Sequence, residues 1–87
     1  MEHELKTWPI FFQQTKQGRK TFEIRKNDRD YHAGDTLLLR EWCPSKQEYT
    51  GDTLLRGVRY MMEGMGIEPG YVAMAVVPIT HGWDLIA

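Results

Sequence analysis

The apolar positions change period along the chain, and each change marks an element. Pro9 stands where a first helical residue is favoured, Thr7 or Trp8 precedes it, and Gly18 falls where a left-handed residue closes a helix, so the pattern predicts a helix over about Pro9 to Gln17. From Lys20 the period drops to two. Phe22 and Ile24 alternate with Thr21, Glu23 and Arg25, the repeat of a strand buried on one face. Glu23 and Arg25 therefore point the same way.

Asn27 to Asp35, NDRDYHAGD, is rich in residues that turn the chain and predicts an exposed loop. The strand-like run TLLLREW (Thr36 to Trp42) follows, then a hairpin tip at Pro44 to Gln47 that returns through Glu48 to Thr50. Gly51 suggests a bulge, Thr53 to Met62 another long strand, and Gly57 a bend within it. A turn over Gly64 to Gly70 leads to a last strand, Tyr71 to Ile79, with Pro78 at its edge or end. The tail His81 to Ala87 gives no clear pattern. One early helix and four or five strands on short loops point to a mainly β, α+β domain. A small antiparallel barrel is the form that best removes sheet edges, and an open sheet with a helix on one face is the alternative.

Length and composition narrow the class. Eighty-seven residues, 41% hydrophobic and 11% aromatic, supply one modest core, so residues 1–87 are expected to form a single domain. Cys43 has no second cysteine to pair with, MEHELKTW lacks the pattern of a secretion signal, and no apolar run approaches the roughly 20 residues of a membrane span. An intracellular, cytoplasmic protein is expected. His3, His32 and His81 are far apart, and Cys43 has no histidine or cysteine at ligand spacing, so neither a metal nor a cofactor is implied.

A net charge of −1 argues against general coating of nucleic acid, but the charges are segregated. Lys16, Arg19, Lys20, Arg25, Lys26 and Arg29 face only Glu23 and Asp28 between positions 16 and 29, whereas positions 41 to 87 hold three basic and six acidic residues. A local basic patch on a near-neutral protein suits a small or focused polyanion. Its centre is GRKTFEIR, Gly18 to Arg25, where Lys20, Glu23 and Arg25 meet at a helix-to-strand junction. On spacing alone, a surface ion pair between Glu23 and Arg25 is the simpler reading.

The same eight residues fit G-x-K-x-x-E-x-R, the signature of the ASCH superfamily, at every specified position. HELKTWP, EIRKNDRD, the GD before TLLLREW, EYTG and PGYV, in that order, resemble a small uncharacterised ASCH family of bacteria and phages. This resemblance covers nearly the whole chain and reverses the preference for a plain ion pair. It implies a PUA-like β-barrel with one N-terminal helix, and a cleft lined by the motif that binds RNA or a nucleotide. One superfamily branch hydrolyses N4-acetylcytidine with the motif Lys, a Thr and a distant Glu. Lys20 matches that branch, Glu23 replaces its Thr, and the distant Glu is not assignable among Glu41, Glu63 and Glu68.

Two site chemistries are therefore expected. As a binder, Arg25 and Lys20, with Arg19 and Arg29 nearby, would hold phosphate, Glu23 would accept from a base amino group, and Trp8, Tyr31 or Trp42 would stack on an unpaired base. As an amidohydrolase on a modified cytidine, Glu23 would activate water while Lys20 stabilised the oxyanion. A protein-protein adaptor, with the motif purely structural, is the third class.

Overall fold

A computed structural model describes residues 1–79, which form six elements: β1 (Glu2–Thr7), α1 (Pro9–Lys16), β2 (Phe22–Lys26), β3 (Thr36–Cys43), β4 (Glu48–Met62) and β5 (Tyr71–Pro78). His81, Trp83 and the rest of the tail lie outside these residues. The strands make one sheet in the order β1-β3-β4-β5-β2, curled into a half-barrel. The mainly β expectation with one short N-terminal helix holds.

Helix α1 is bounded as its sequence predicts. Pro9 occupies the first turn and the chain enters through an extended Trp8. At the other end Gly18 takes φ +79°, Gly18 N–H donates to Thr15 O at 3.1 Å, and Arg19 N–H donates to Gln14 O at 3.0 Å. This pair of backward bonds is a Schellman closure, which requires a left-handed residue at the glycine position. The closure swings the chain out of the helix and delivers Lys20 next to β2. Arg56, reaching over from β4, donates Nη2–H to Thr15 O at 3.2 Å and places a cation at the helix C-terminus, where the dipole favours it. Burial holds its guanidinium below the usual arginine range.

Strand β1 was not among the expected elements. His3, Leu5 and Thr7 are buried while Glu2, Glu4 and Lys6 are exposed, a strict alternation that carries only one apolar residue on its inner face. That polar inner face hides the strand from an apolar-periodicity reading. It pairs parallel to β3, from Glu2 beside Thr36 to Thr7 beside Glu41, whereas β3-β4, β4-β5 and β5-β2 are antiparallel.

The hairpin tip and the bulge fall where expected. Residues 44–47 turn the chain, and the β3-β4 register shifts between Arg40 and Trp42, opposite Gly51 at φ +98°. The strands on either side of Gly51, expected as separate runs, form the single strand β4. The irregularity expected at Gly57 lies just after it, between Val58 and Tyr60 in the β4-β5 ladder. Such bulges increase local twist and help curl the sheet. Inside the curl, Leu5, Phe12, Leu37, Leu39, Val58, Val72, Met74 and Val76 make the core, with Tyr31 from the loop. Tyr31 packs against His3, ring centroids 4.7 Å apart, and is thus a core residue rather than a stacking surface.

Candidate functional site

Among the described residues, strands β1 and β2 are the two outer strands of the sheet, and side chains bridge the seam between them. Arg25 on β2 donates Nη1–H to Lys6 O and Nη2–H to Thr7 Oγ1, both at 3.1 Å. Arg29, just beyond β2, donates Nη1–H to Glu4 O at 2.7 Å. Carbonyls two residues apart on a strand point to the same side, so Glu4 and Lys6 present consecutive acceptors along the outer edge of β1. Arginine N–H groups thus occupy acceptors that a neighbouring strand would otherwise take.

The residues of β2 face opposite to the apolar-in reading of their alternation. Phe22 and Ile24 are 48% and 50% exposed, whereas Glu23 is only 2% exposed and points to the inside of the curl. A buried carboxylate must be paired, and this one is paired twice. Lys20 Nζ donates to Oε2 at 2.6 Å and Arg25 Nε–H donates to Oε1 at 2.9 Å. Lys20 also donates to Phe22 O at 2.7 Å. Glu23 and Arg25 do share a strand face, as their spacing predicts, but they do not form a surface ion pair: the burial of Glu23 makes the triad part of the interior.

Above this triad opens a cleft of about 550 Å³. Lys20, Glu23 and Arg25 lie at its floor, Lys6 and Thr7 contribute its β1 wall, and Trp8, Phe11, Phe22 and Ile24 line it as half-exposed apolar groups. Trp8 and Phe11 are brought there by the first turn of α1, Phe22 and Ile24 by the outward face of β2. Among these, Trp8 is the one expected from sequence as a stacking surface. Phe22 was hidden by the assumption that alternating apolar residues face the core, and Phe11 by the absence of any local sign of which helix face the sheet covers.

Other expected site residues are placed elsewhere. Arg19 is exposed and does not line the cleft, and Arg29 is engaged with β1. Trp42 lies under Lys6, whose Nζ is 3.9 Å from its ring, and meets Tyr49 edge to face at 4.9 Å. Of the three glutamates left open for a catalytic role, none lines the cleft. Glu41 is buried beside Thr7 and accepts from Gln13 Nε2 at 3.1 Å and Thr50 Oγ1 at 2.9 Å. Glu63 accepts from the Asn27 side-chain amide, and Glu68 is exposed.

A second buried polar cluster lies below the β1 edge. Asp35 accepts from His3 Nε2 and from His32 N–H, each at 2.9 Å, and from the Met1 amino group at 3.1 Å. Burial by itself would raise the Asp35 carboxyl, but these hydrogen bonds outweigh it and hold the group below its ordinary value. Burial raises the Tyr31 phenol, against opposing charge from Arg29 and Arg25.

Fold and site together define a small β half-barrel with a charged, aromatic-walled cleft at its open seam. The chain belongs to the family described as a domain of unknown function, DUF3850, whose model matches residues 2–76. It is also 48% identical over 40 residues to an uncharacterised 12.9 kDa protein in the GpA 3′ region of Escherichia phage P2. That match spans 46% of this chain and 37% of the phage protein, well under two thirds of its length.

Proposed function

We propose that this chain is a PUA-like domain of the ASCH superfamily that binds RNA or a nucleotide in the seam cleft, acting in the cytoplasm. The observation that carries the reading is the join of Lys20, Glu23 and Arg25 at the floor of a cleft walled by exposed aromatic rings. Cationic donors beside stacking surfaces are the combination used for unpaired nucleotides. A nucleotide-sized ligand also fits the cleft volume, which lies within the range of ordinary small-molecule sites.

The geometry favours binding over amide hydrolysis. Lys20 Nζ already donates to a carboxylate and to a carbonyl, the reverse of what a general base must do. Glu23 has each oxygen paired with a cation, which weakens it as a base, and its burial leaves a water little access to it.

The test is equilibrium binding of a short RNA and of mononucleotides at several salt concentrations. Binding should weaken with salt by a log-log slope of about −0.7 for each phosphate neutralised and should be lost in Arg25→Ala. Release of acetate from N4-acetylcytidine, abolished by Glu23→Gln, would establish the hydrolase in its place. Absence of both binding and turnover would leave the protein-protein adaptor.

A further inference from the structure

Among the described residues, the cleft floor holds N–H donors with no partner, whereas each of its side-chain and edge acceptors already takes a bond from a cation. Glu23 Oε1 and Oε2 receive from Arg25 and Lys20, Phe22 O from Lys20, and Lys6 O and Thr7 Oγ1 from Arg25. On the donor side, an ammonium has three N–H groups, and Lys20 commits two. A guanidinium has five, and Arg25 commits its Nε–H, one on Nη1 and one on Nη2, which leaves one hydrogen on each terminal nitrogen. Two cations against one carboxylate also leave one formal positive charge at the floor.

Depth separates this charge from the stacking surfaces. The side chains of Lys20 and Arg25 are 17% and 25% exposed and Glu23 lies deeper still, whereas Trp8, Phe11 and Phe22 are about half exposed. A ligand with one charged end and one flat apolar end therefore meets the charge inside and the rings at the mouth.

Building on the nucleotide-binding reading, we propose that the ligand enters phosphate first: its phosphate rests on Lys20 and Arg25, and its base stays at the rim against Trp8 and Phe22. A base edge is the poorer occupant of the floor. Each Watson–Crick edge carries at least one N–H donor, which would face the unpartnered N–H groups of Lys20 and Arg25 and would have to share any acceptor with a cation already bonded to it. A phosphate offers acceptors alone, and its charge matches the residual positive one. Glu23 then holds the two cations in place and does not read the base. The phosphate belongs either to a chain terminus or free nucleotide, or to an internal link of an RNA strand; the chemistry at the floor is the same.

Calorimetric titration of the wild-type protein with UMP, AMP, uridine, adenosine, UpU and inorganic phosphate tests this orientation. UMP and AMP should bind with similar affinity, both nucleosides at least about tenfold more weakly, and inorganic phosphate should compete with UMP. Trp8→Ala should weaken UMP and leave inorganic phosphate unchanged. UpU binding as well as UMP would identify an internal phosphate, and weaker UpU binding a terminal one; both agree with the proposal. Uridine binding as tightly as UMP, or strong discrimination between UMP and AMP, would overturn the orientation while leaving the nucleotide-binding reading intact. If none of these ligands binds, nor a short RNA, both fail. Proton and nitrogen chemical shifts of the Lys20 and Arg25 side chains, followed in the wild-type protein as phosphate is added, report the same contact without any substitution.

Discussion

Arg25 on β2 reaches across the open seam to Thr7 on β1, donating Nη2–H to the Thr7 hydroxyl at 3.1 Å while its Nε–H holds Glu23 at 2.9 Å. One guanidinium thus joins the two sheet edges and neutralises a buried carboxylate. Closing the curl and building the cleft floor are the same set of bonds, so ligand affinity and fold stability are coupled at this residue.

Removing that guanidinium leaves Glu23 with Lys20 as its one ionic partner among the described residues and frees the Lys6 carbonyl. Arg25→Ala is expected to cost about 2 kcal/mol, less than for a fully enclosed pair because Arg25 is partly solvated. Arg25→Lys should recover only part of this, since an ammonium cannot span the three acceptors with a planar fork. Urea unfolding of the two variants measures the difference, and a loss below about 0.5 kcal/mol in Arg25→Ala would contradict a seam held by this side chain.

The inverted facing of β2 makes an opposite pair of expectations. Phe22→Ser and Ile24→Ser, at half-exposed positions, should each cost less than about 1 kcal/mol. Leu39→Ala, in the closed core, should cost roughly 2 to 5 kcal/mol. Were Phe22→Ser to destabilise as much as Leu39→Ala, the strand would have to face the other way.

Asp35 should give the fold a measurable acid dependence. Its carboxyl is held below the ordinary value of 3.8, so the unfolded chain binds more protons in that range and stability rises with pH. The contribution is present above the unfolded value and is lost as pH falls through the lower, folded one. Unfolding free energies measured from pH 6 down to pH 2 should therefore fall less steeply in Asp35→Asn than in the wild type. Equal slopes would remove Asp35 from the acid response.

Gly18→Ala isolates the backbone requirement at the end of α1. A Cβ placed there would meet nothing within 4 Å, yet φ is +79°, where residues with a Cβ are strained. The expected loss is about 1 kcal/mol with little change in the core. Thermal or urea unfolding checks the magnitude, and a stabilising effect would mean that the Schellman closure is not what ends the helix.

Features governed by neighbours in the chain could be read without any three-dimensional information. Pro9 and Gly18 bound the helix because fixed φ and positive φ are properties of single residues. The turn at 44–47, the bulge at Gly51 and the crowding of Lys20, Glu23 and Arg25 into one short segment are equally local. Tertiary structure decided the rest. Whether Phe22 or Glu23 faces inward depends on what lies across the sheet, and a two-residue alternation is the same seen from either side. Strand β1 exists because β3 offers it a parallel ladder, although its inner face is largely polar. The seam, with Arg25 bound to Lys6 and Thr7 some eighteen residues earlier in the chain, brings two sheet edges together through the curl of the whole sheet. A motif that looks from sequence like a surface charge cluster becomes a buried, doubly paired carboxylate beneath an aromatic cleft, because only the folded sheet sets which of its groups keep their water.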